Sequence, residues 1–409
     1  MKDCAIQICN LESLPLFQIL KSVVVYFCHI MQKDISSLKI GVLGGGQLGR
    51  MMIQSAINYN LDISILDPDP NAPCAHLVEN FKVGKLTDTE LVYEWGKQFD
   101  LITIEIENVS VEALKKLKGE GIKVFPQPEI IELIQDKRKQ KTFYKANRIP
   151  TSEFILTENK EEVKAHASML PAVNKLGKEG YDGRGVQIIK TENDLEKAFD
   201  KPGLLEKLVD FEKELSVVVA RNEKSEVACF PVVELSYHPE QNLVEFLFAP
   251  AEVSEDIENA AYALAKDVIQ KLNMTGLLAV EMFLTKDGQL LVNEVAPRTH
   301  NSGHHTIEAN LTSQFEQHLR AILNMPLGST DLITPAAMVN LLGEDGFTGD
   351  AIYEGMEECM SMQGVYVHLY GKILTKPFRK MGHVTITDDN INSLKLKARK
   401  VKDTLKVKA

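Results

Sequence analysis

Short apolar runs alternate with helix-like segments from residue 38 onward. The runs Lys39–Leu43 and 62–66 are rich in β-branched residues, which is typical of strands buried in a parallel sheet. Helix-like segments lie at 47–58 and 91–99, and a third apolar run begins at Leu101. Strands that alternate with helices form parallel sheets with crossover connections. The first part of the chain therefore predicts an α/β domain.

The pattern changes after Pro126 and Pro128, where a stretch dense in Lys and Arg predicts one helix over 130–147. Further strands and one long helix follow it. The strands are predicted at 172–175, 186–189, 214–220, 227–233, 277–285, 289–294, 336–342 and 365–370, and the helix at 255–272. The predicted divisions are an extension at 1–37 and domains at 38–128, 129–325 and 326–409.

The extension contains the apolar stretch 14–30, which Lys21 interrupts. A membrane-spanning helix needs about 20 continuous apolar residues, and no small-residue cleavage site follows this stretch. Met31 precedes a short polar lead into the first strand. We therefore interpret residues 1–30 as a loose segment, or as a start assigned too early, rather than as a membrane anchor.

The composition is that of a soluble globular protein: 44% of the 409 residues are hydrophobic and 25% are charged. The formal net charge of −11 argues against a broad nucleic-acid-binding face but permits a local basic pocket for a phosphorylated small molecule. The six cysteines include no Cys-x-x-Cys pair, so we expect reduced thiols of a cytosolic protein rather than disulfides or a zinc site. They are Cys4, Cys9, Cys28, Cys74, Cys229 and Cys359.

Glycines at 44, 46 and 49 form a Gly-x-Gly-x-x-Gly turn between the first predicted strand and its helix. Glycine lets the backbone approach an anion, and the N-terminus of the helix supplies amides to hold it. The pattern is typical of a dinucleotide site, in which Asp67 would hold a ribose. A tight turn without a ligand is the alternative, and the amide of Gln47 could read a polar ligand.

Two acidic residues, Glu281 and Glu294, lie on adjacent strand-like runs that an Asp287-Gly288 turn connects. With these two residues as the loop, the hairpin register sets the glutamates directly opposite each other. Opposed carboxylates repel, and burial strengthens the repulsion. A divalent cation removes the conflict, and oxygen ligands of this kind suit Mg²⁺ (or Mn²⁺) shared with substrate phosphates. The alternative is that both acids lie on a solvated face.

Lys175 ends an apolar strand, where a buried ammonium needs an anionic partner. The segment 177–185 follows, with four glycines in nine residues and charges of both signs. Such a loop can close over a polyphosphate and donate backbone amides to it. A flexible surface hairpin is the alternative. Glu206 and Glu214, taken alone, are interpreted as ordinary surface acids.

Several separated segments resemble the N5-carboxyaminoimidazole ribonucleotide synthetase family of the ATP-grasp superfamily. The most specific is Asn293-Glu-Val-Ala-Pro-Arg-Thr-His-Asn-Ser-Gly-His304. The others occur in family order, between about 38 and 385, at 44–51, 102–109, 180–185 and 312–320. The resemblance implies an α/β ATP-grasp fold with an N-terminal Rossmann-like parallel sheet (the pre-ATP-grasp domain) and a small C-terminal domain. It overrules the dinucleotide interpretation of the first turn.

The resemblance also implies an activity: carboxylation of 5-aminoimidazole ribonucleotide by ATP and bicarbonate, with release of ADP and phosphate, in de novo purine biosynthesis. It implies a cytoplasmic homodimer that binds neither nucleic acid nor a membrane. The nearest alternative is another ATP-grasp ligase, such as a formate-dependent ribonucleotide transformylase, which would need a different acyl donor. A nicotinamide-dependent oxidoreductase would leave the opposed glutamates unexplained, and a non-catalytic nucleotide-binding regulator would bind ATP without turnover.

Residue roles follow from the same resemblance. For the ribonucleotide it implies Gly45, Gly46, Gln47, Leu48, Glu105, Lys376 and Arg379. For ATP it implies Lys137, Lys175, Gly180, Tyr181, Asp182, Gly183, Arg184, Gly185, Val186, Glu206, Lys207, Leu208, Val209, Glu214, Glu234, Asn293 and Glu294. The catalytic set is Arg298, His300 and Asn301, which would hold bicarbonate, together with Tyr181 and Asp182. The cation ligands are Glu281 and Glu294. Strand alternation by itself turns Asn293 away from the face of Glu294.

Overall fold

The computed structural model describes residues 35–178, 185–237 and 243–409. The helices are α1 (Gln47–Ile57), α2 (Thr89–Gly96), α3 (Val111–Gly119), α4 (Pro128–Ile134), α5 (Lys137–Ala146), α6 (Lys160–Ala165), α7 (Glu255–Lys271), α8 (Thr306–Ala309), α9 (Gln314–Ile322), α10 (Met356–Met360) and α11 (Ile391–Thr404). Short 3-10 helices lie at Ile35–Ser37, Ala167–Met169, Glu192–Lys197 and Asn301–Gly303.

The strands of the first half of the chain are β1 (Lys39–Leu43), β2 (Asp62–Asp67), β3 (Phe81–Val83), β4 (Leu101–Ile104), β5 (Lys123–Val124), β6 (Phe154–Thr157), β7 (Ala172–Leu176), β8 (Val186–Ile189) and β9 (Gly203–Lys207). Those of the second half are β10 (Phe211–Arg221), β11 (Val227–Cys229), β12 (Val233–Tyr237), β13 (Val244–Ala249), β14 (Gly276–Thr285), β15 (Leu290–Ala296), β16 (Ala336–Leu342), β17 (Gly349–Asp350), β18 (Ile352–Glu354), β19 (Val365–Leu369), β20 (Leu374–Thr375), β21 (Lys380–Thr387) and β22 (Lys406–Lys408).

The N-terminal sheet is parallel, with the strand order β3-β2-β1-β4-β5. Its central strand is apolar, and Ile40, Val42 and Leu43 are fully buried, as expected for a sheet with both faces covered. The carboxyl ends of β1, β2 and β4 meet at one edge, which is where open α/β sheets bind ligands. The predicted α/β domain is confirmed.

Two large antiparallel sheets follow, and the C-terminal part of the chain adds the two-stranded antiparallel pairs β17-β20 and β18-β22. The smaller has the order β6-β9-β7-β8, and the larger runs β15-β14-β10-β12-β13-β16-β21-β19, with β11 paired to β10. Helix α7 covers the larger sheet, where Val268 packs in one core cluster with Leu278 and Val280. Strand β13 pairs with β16, so this sheet continues across the boundary that we predict at 325/326. The division into domains stays a prediction.

Two elements differ from the sequence prediction. The stretch 130–147 forms two helices, because the side chain of Asp136 accepts a hydrogen bond from the amide of Arg138 over 3.0 Å and so caps the start of α5. The strand predicted over 227–233 is divided between β11 and β12. Pro231 lies between them and has no N–H to donate to a strand ladder.

Within the described ranges, no helix combines the length and apolar character needed to cross a membrane. The interpretation of residues 1–30 concerns a part of the chain that lies outside the described ranges. Three of the six cysteines, Cys74, Cys229 and Cys359, fall within the described residues and are free thiols.

Candidate active site

Glu281 and Glu294 lie opposite each other on β14 and β15, so the predicted opposition is confirmed. The turn of the hairpin, however, differs from the predicted two-residue turn. The amide of Thr285 donates to the carbonyl of Gln289 over 2.9 Å, so the turn holds three residues rather than two. Gly288 ends the turn at a φ of 82°, in the left-handed region that favours glycine. This turn shifts the strand pairing by one residue relative to a two-residue turn.

A β-bulge at Asn293 restores the register. The pairing shifts between Glu281 and Met282, which leaves Asn293 as the extra residue on its strand. Because a bulge interrupts strand alternation, Asn293 faces the site, and its Oδ1 accepts a hydrogen bond from Lys175 Nζ over 3.1 Å. The charge of the same lysine acts on Glu294. The expectation that alternation turns Asn293 away was wrong.

The two glutamates differ in their surroundings. Lys137 Nζ lies 2.7 Å from Glu294 Oε2, and its charge holds the pKa of Glu294 below the usual range. Burial, reinforced by the repulsion of Glu294, raises the pKa of Glu281. One carboxyl is therefore ionised and the other tends to keep its proton. A bound cation would remove this conflict, so the two residues fit a cation site.

Lys175 has the anionic partner that its burial requires. Its Nζ lies 2.7 Å from Glu206 Oε2, and Lys141 Nζ lies 2.7 Å from the other oxygen, Oε1. Burial alone would raise the pKa of Glu206, but the two lysines together hold it below the usual range. Glu206 is 3% exposed, so its interpretation as a surface acid was wrong.

Sequence analysis missed Lys141. Its side chain is 3% exposed, and burial lowers its pKa to about 8. Its Nζ also donates to the hydroxyl groups of Thr151 and Ser152. A signal was present, because Lys141 follows Lys137 by one helical turn and so lies on the same face of α5.

The other expected nucleotide residues lie around β8, β9 and β10. Glu234 Oε2 is 2.6 Å from Lys213 Nζ. Burial raises the pKa of Glu214 to about 7, so this residue too is no ordinary surface acid. The side chain of Lys207 is exposed. Gly185, Val186, Leu208 and Val209 are half-buried. Gly180, Tyr181, Asp182, Gly183 and Arg184 lie outside the described residues.

The segment that would hold bicarbonate follows β15. His300 Nε2 lies 3.7 Å from Glu281 Oε1, which places this ring at the edge of the acidic pair. Arg298 Nε lies 2.8 Å from Glu107 Oε1. Asn301 and Asn340, a buried residue of β16, exchange two amide hydrogen bonds of 2.9 and 3.0 Å. The C-terminal part of the chain therefore contacts this segment directly.

The first turn is held by carboxylates at the ends of β2 and β4, the two strands that flank β1. Asp67 Oδ2 accepts from the amide of Gly45 over 2.7 Å, and Glu105 Oε1 accepts from the amide of Leu48 over 3.1 Å. A Cβ atom on Gly46 would lie 2.5 Å from Glu105 Oε1, so no side chain fits there. Asp67 thus has a structural role that requires no ribose. The side chain of Gln47, at the start of α1, is half-buried.

Positive charges from two distant segments act on Glu105. Burial raises its pKa to about 7, while Arg298 and Lys372 oppose the rise. Sequence analysis missed Lys372, because nothing local distinguishes it from the other basic residues of that segment. Of the two basic residues expected there, Lys376 is exposed and Arg379 donates to a backbone carbonyl of its own loop over 2.6 Å.

Three family models match successive parts of the chain. The ribonucleotide synthetase preATP-grasp domain matches residues 37–135, and the ATP-grasp domain matches residues 142–315. The phosphoribosylaminoimidazole carboxylase C-terminal domain matches residues 336–397. The expected fold class, ATP-grasp with a parallel N-terminal sheet and a C-terminal domain, is confirmed.

A relative from Bacillus subtilis, N5-carboxyaminoimidazole ribonucleotide synthase, is 38% identical over 353 residues, which are 85% of this chain and 90% of the relative. The chain belongs to the N5-carboxyaminoimidazole ribonucleotide synthase family. The phosphoribosylaminoimidazole carboxylase of Vigna aconitifolia is 39% identical over 366 residues, and the chain spans 65% of that longer relative. The resemblance to this synthase family is confirmed.

Solved structures of the synthase family have the same fold. The N5-carboxyaminoimidazole ribonucleotide synthetase of Thermotoga maritima is 45% identical, with a TM-score of 0.84 over 91% of this chain and 99% of that one. The synthase of Aspergillus clavatus, solved in complex with ADP and 5-aminoimidazole ribonucleotide, is 32% identical, with a TM-score of 0.81 over 90% and 98%.

Proposed function

We propose that this chain uses ATP and bicarbonate to carboxylate 5-aminoimidazole ribonucleotide, giving N5-carboxyaminoimidazole ribonucleotide, ADP and phosphate in de novo purine biosynthesis. The observation that carries the proposal is the directly opposed pair of Glu281 and Glu294, with Lys137 2.7 Å from Glu294 and His300 3.7 Å from Glu281. The carboxylates and Lys137 can together bind a cation and the phosphates of ATP, and His300 lies beside them where it can help to hold bicarbonate. The relative from Bacillus subtilis carries the name of this activity.

The acidic pair is proposed to hold Mg²⁺ or Mn²⁺. Both ligands are carboxylates, which these hard cations prefer. In the described part of the chain, no three His, Cys, Asp or Glu side chains group closely enough to hold a metal. The pair alone would leave coordination positions for phosphate oxygens, as is usual when Mg²⁺ is bound together with a nucleotide. When bound, the cation would neutralise charge that develops on the transferred phosphoryl group.

Lys137 and Lys175 are proposed to bind the ATP phosphates. In the described structure Lys175 contacts Glu206 and Asn293, at 2.7 and 3.1 Å. A phosphate oxygen would compete for the same ammonium, while Lys141 keeps its ion pair with Glu206 at 2.7 Å. Lys175 can therefore move to ATP without leaving a buried carboxylate unpaired.

The first chemical step is the attack of a bicarbonate oxygen on the γ-phosphorus of ATP. The bond to the β-phosphate oxygen breaks, and ADP and carboxyphosphate result. Arg298, His300 and Asn301 are proposed to hold the bicarbonate in line with ATP, which is the main catalytic contribution in a phosphoryl transfer. Carboxyphosphate then gives CO₂ and phosphate in a site closed to water.

The second step forms the carbamate. The exocyclic amine of the ribonucleotide attacks CO₂, and its proton passes to Asp182 or to a phosphate oxygen. We propose that the turn from Gly45 to Leu48 and Glu105 bind the ribonucleotide, with basic residues of the C-terminal part nearby. Lys372 is added to Lys376 and Arg379 in that set, since its charge acts on Glu105.

The homodimer and the cytoplasmic location are proposed on the resemblance to the family alone. The formate-using alternative is disfavoured because the name of the relative from Bacillus subtilis describes a carboxylated product, not a formylated one. The test is the release of ADP from Mg²⁺-ATP, with each of bicarbonate, formate and 5-aminoimidazole ribonucleotide supplied or withheld. Release that requires both bicarbonate and the ribonucleotide supports the proposal, and release with formate in place of bicarbonate overturns it.

A further inference from the structure

Gln314 is a fully buried residue at the start of α9, and its side-chain amide is directed at the segment that would hold bicarbonate. Its Oε1 accepts a hydrogen bond from the amide of His300 over 2.8 Å. Its Nε2 donates to the carbonyl of His300 over 2.7 Å and lies 3.2 Å from His304 Nδ1. Both polar ends of one side chain thus bind the backbone of one residue.

The side-chain amide of Gln314 is packed closely against the segment. A Cβ atom on Gly303 would lie 2.5 Å from the Cδ and Oε1 atoms of Gln314, so the segment closes tightly over the side chain. The hydroxyl of Thr306 accepts from the amide of Gln314 over 2.9 Å and donates to the carbonyl of Gly303 over 2.6 Å. The N-terminus of α9 and the segment therefore hold each other in one position.

This contact bears on the orientation of the His300 ring. The amide of Ser302 donates to His300 Nδ1 over 3.3 Å, and the hydroxyl of Ser302 lies 2.9 Å from the same nitrogen, so Nε2 is the ring nitrogen that faces the acidic pair. That nitrogen lies 3.7 Å from Glu281 Oε1. Because Gln314 fixes both backbone polar groups of His300, it sets where the ring stands relative to the acidic pair.

We propose that Gln314 is a positioning residue for the bicarbonate step. It acts through His300, and the inference rests on the proposed function in that His300 helps to hold bicarbonate. Neither a hydrocarbon nor a carboxylate can replace the amide, since His300 presents one donor and one acceptor to it. Residues that support a catalytic site in this way typically change activity about 10- to 100-fold when they are substituted.

The same helix provides a matched control. Gln317 is also fully buried, and it makes the same pair of bonds with another backbone residue. Its Nε2 donates to the carbonyl of Gly328 over 2.9 Å, and its Oε1 accepts from the amide of Gly328 over 2.8 Å. Gln314→Met and Gln317→Met thus each remove two hydrogen bonds to one backbone residue, and only the bonds of Gln314 reach His300. Gln314→Met also removes the contact with His304 Nδ1.

The experiment measures kcat/KM for bicarbonate in bicarbonate-depleted buffer, and the Kd of ATP by calorimetry without bicarbonate. For Gln314→Met we expect kcat/KM for bicarbonate to fall about 10- to 100-fold, with the Kd of ATP within about twofold of wild type. Gln317→Met should lower the melting temperature to a similar extent and leave kcat/KM for bicarbonate within about twofold. Gln314→Glu, which keeps the shape but sets a carboxylate oxygen against the carbonyl of His300, should also lose at least about tenfold.

A folded Gln314→Met or Gln314→Glu enzyme with wild-type kcat/KM for bicarbonate would overturn the inference. Equal kinetic losses in the Gln314 and Gln317 variants would overturn it as well, because they would indicate a purely structural role. If the wild-type enzyme shows no dependence on bicarbonate, the proposed function fails first. The bicarbonate dependence of the wild-type enzyme tests the proposed function, and the comparison of the variants tests the role of Gln314, so the two proposals can fail separately.

Discussion

Substitution of Lys141 by Met tests the electrostatic balance beneath the proposed nucleotide site. The Lys141 and Glu206 side chains are 3% and 4% exposed, and Nζ lies 2.7 Å from Oε1. Burial lowers the pKa of Lys141 to about 8, which means that burial destabilises the charged form of this side chain. The cost of removing it therefore arises at Glu206, whose Oε1 loses a charged donor inside the protein.

We expect Lys141→Met to lower the free energy of unfolding by about 1.5 to 3 kcal/mol, the usual value for a buried hydrogen bond to a charged group. The loss stays in this range because Glu206 retains Lys175 at 2.7 Å. Lys139→Met is the control on the same helix: its pair with Glu132 is equally short, at 2.8 Å, but the side chains are 51% and 40% exposed. Exposed pairs contribute less than about 1 kcal/mol.

The assay is urea unfolding of wild type, Lys141→Met, Glu206→Gln and the double variant. Loss of the lysine should make the second substitution less costly, with a coupling free energy of about 1 to 2 kcal/mol. A Lys141→Met variant that loses no more stability than Lys139→Met would refute the reasoning. Additive single losses would refute it too, because they would mean that Lys141 and Glu206 do not interact.

Three further predictions follow from the site. Gly46→Ala places a Cβ atom 2.5 Å from Glu105 Oε1 and should raise the KM for the ribonucleotide at least about tenfold, whereas Gly119→Ala, in open space, should leave the KM unchanged. Glu294→Gln should raise the Mg²⁺ concentration for half-maximal activity about 10- to 100-fold, and an unchanged Mg²⁺ titration would exclude it as a cation ligand. Burial raises the folded-state pKa of Glu105 from 4.5 to about 7, so the folded protein holds an extra proton between these values. Relative to Glu105→Gln, wild type should lose stability as the pH rises from about 4.5 to 7, and parallel stability profiles would contradict this.

Local patterns were sufficient for the parallel sheet and the first turn, because alternation of strand and helix depends on neighbouring residues. The opposition of Glu281 and Glu294 was predicted correctly although the hairpin differs. A three-residue turn shifts the register one way, and the bulge at Asn293 shifts it back. Both features depend on contacts across the sheet, which a count along the chain does not contain.

The missed residues act through partners that are distant in sequence. The local sequence shows only that Lys141 lies one helical turn after Lys137, and its role becomes apparent beside Glu206; that of Lys372 becomes apparent beside Glu105. Gln314 stands at the start of a helix, and nothing in the local sequence shows that its side chain binds the backbone of His300. Residues of this kind bind backbone groups or buried charges, so their spacing along the chain carries no motif.

We propose that a bicarbonate oxygen attacks the γ-phosphorus of ATP at the site beside Glu281 and Glu294. This step can be tested directly by supplying ¹⁸O-labelled bicarbonate with Mg²⁺-ATP and 5-aminoimidazole ribonucleotide, and examining the released phosphate by ³¹P NMR. We expect one labelled oxygen in the phosphate, and ADP release that depends on the ribonucleotide. Phosphate without the label would mean that water, and not bicarbonate, receives the phosphoryl group, and the proposed step would be wrong.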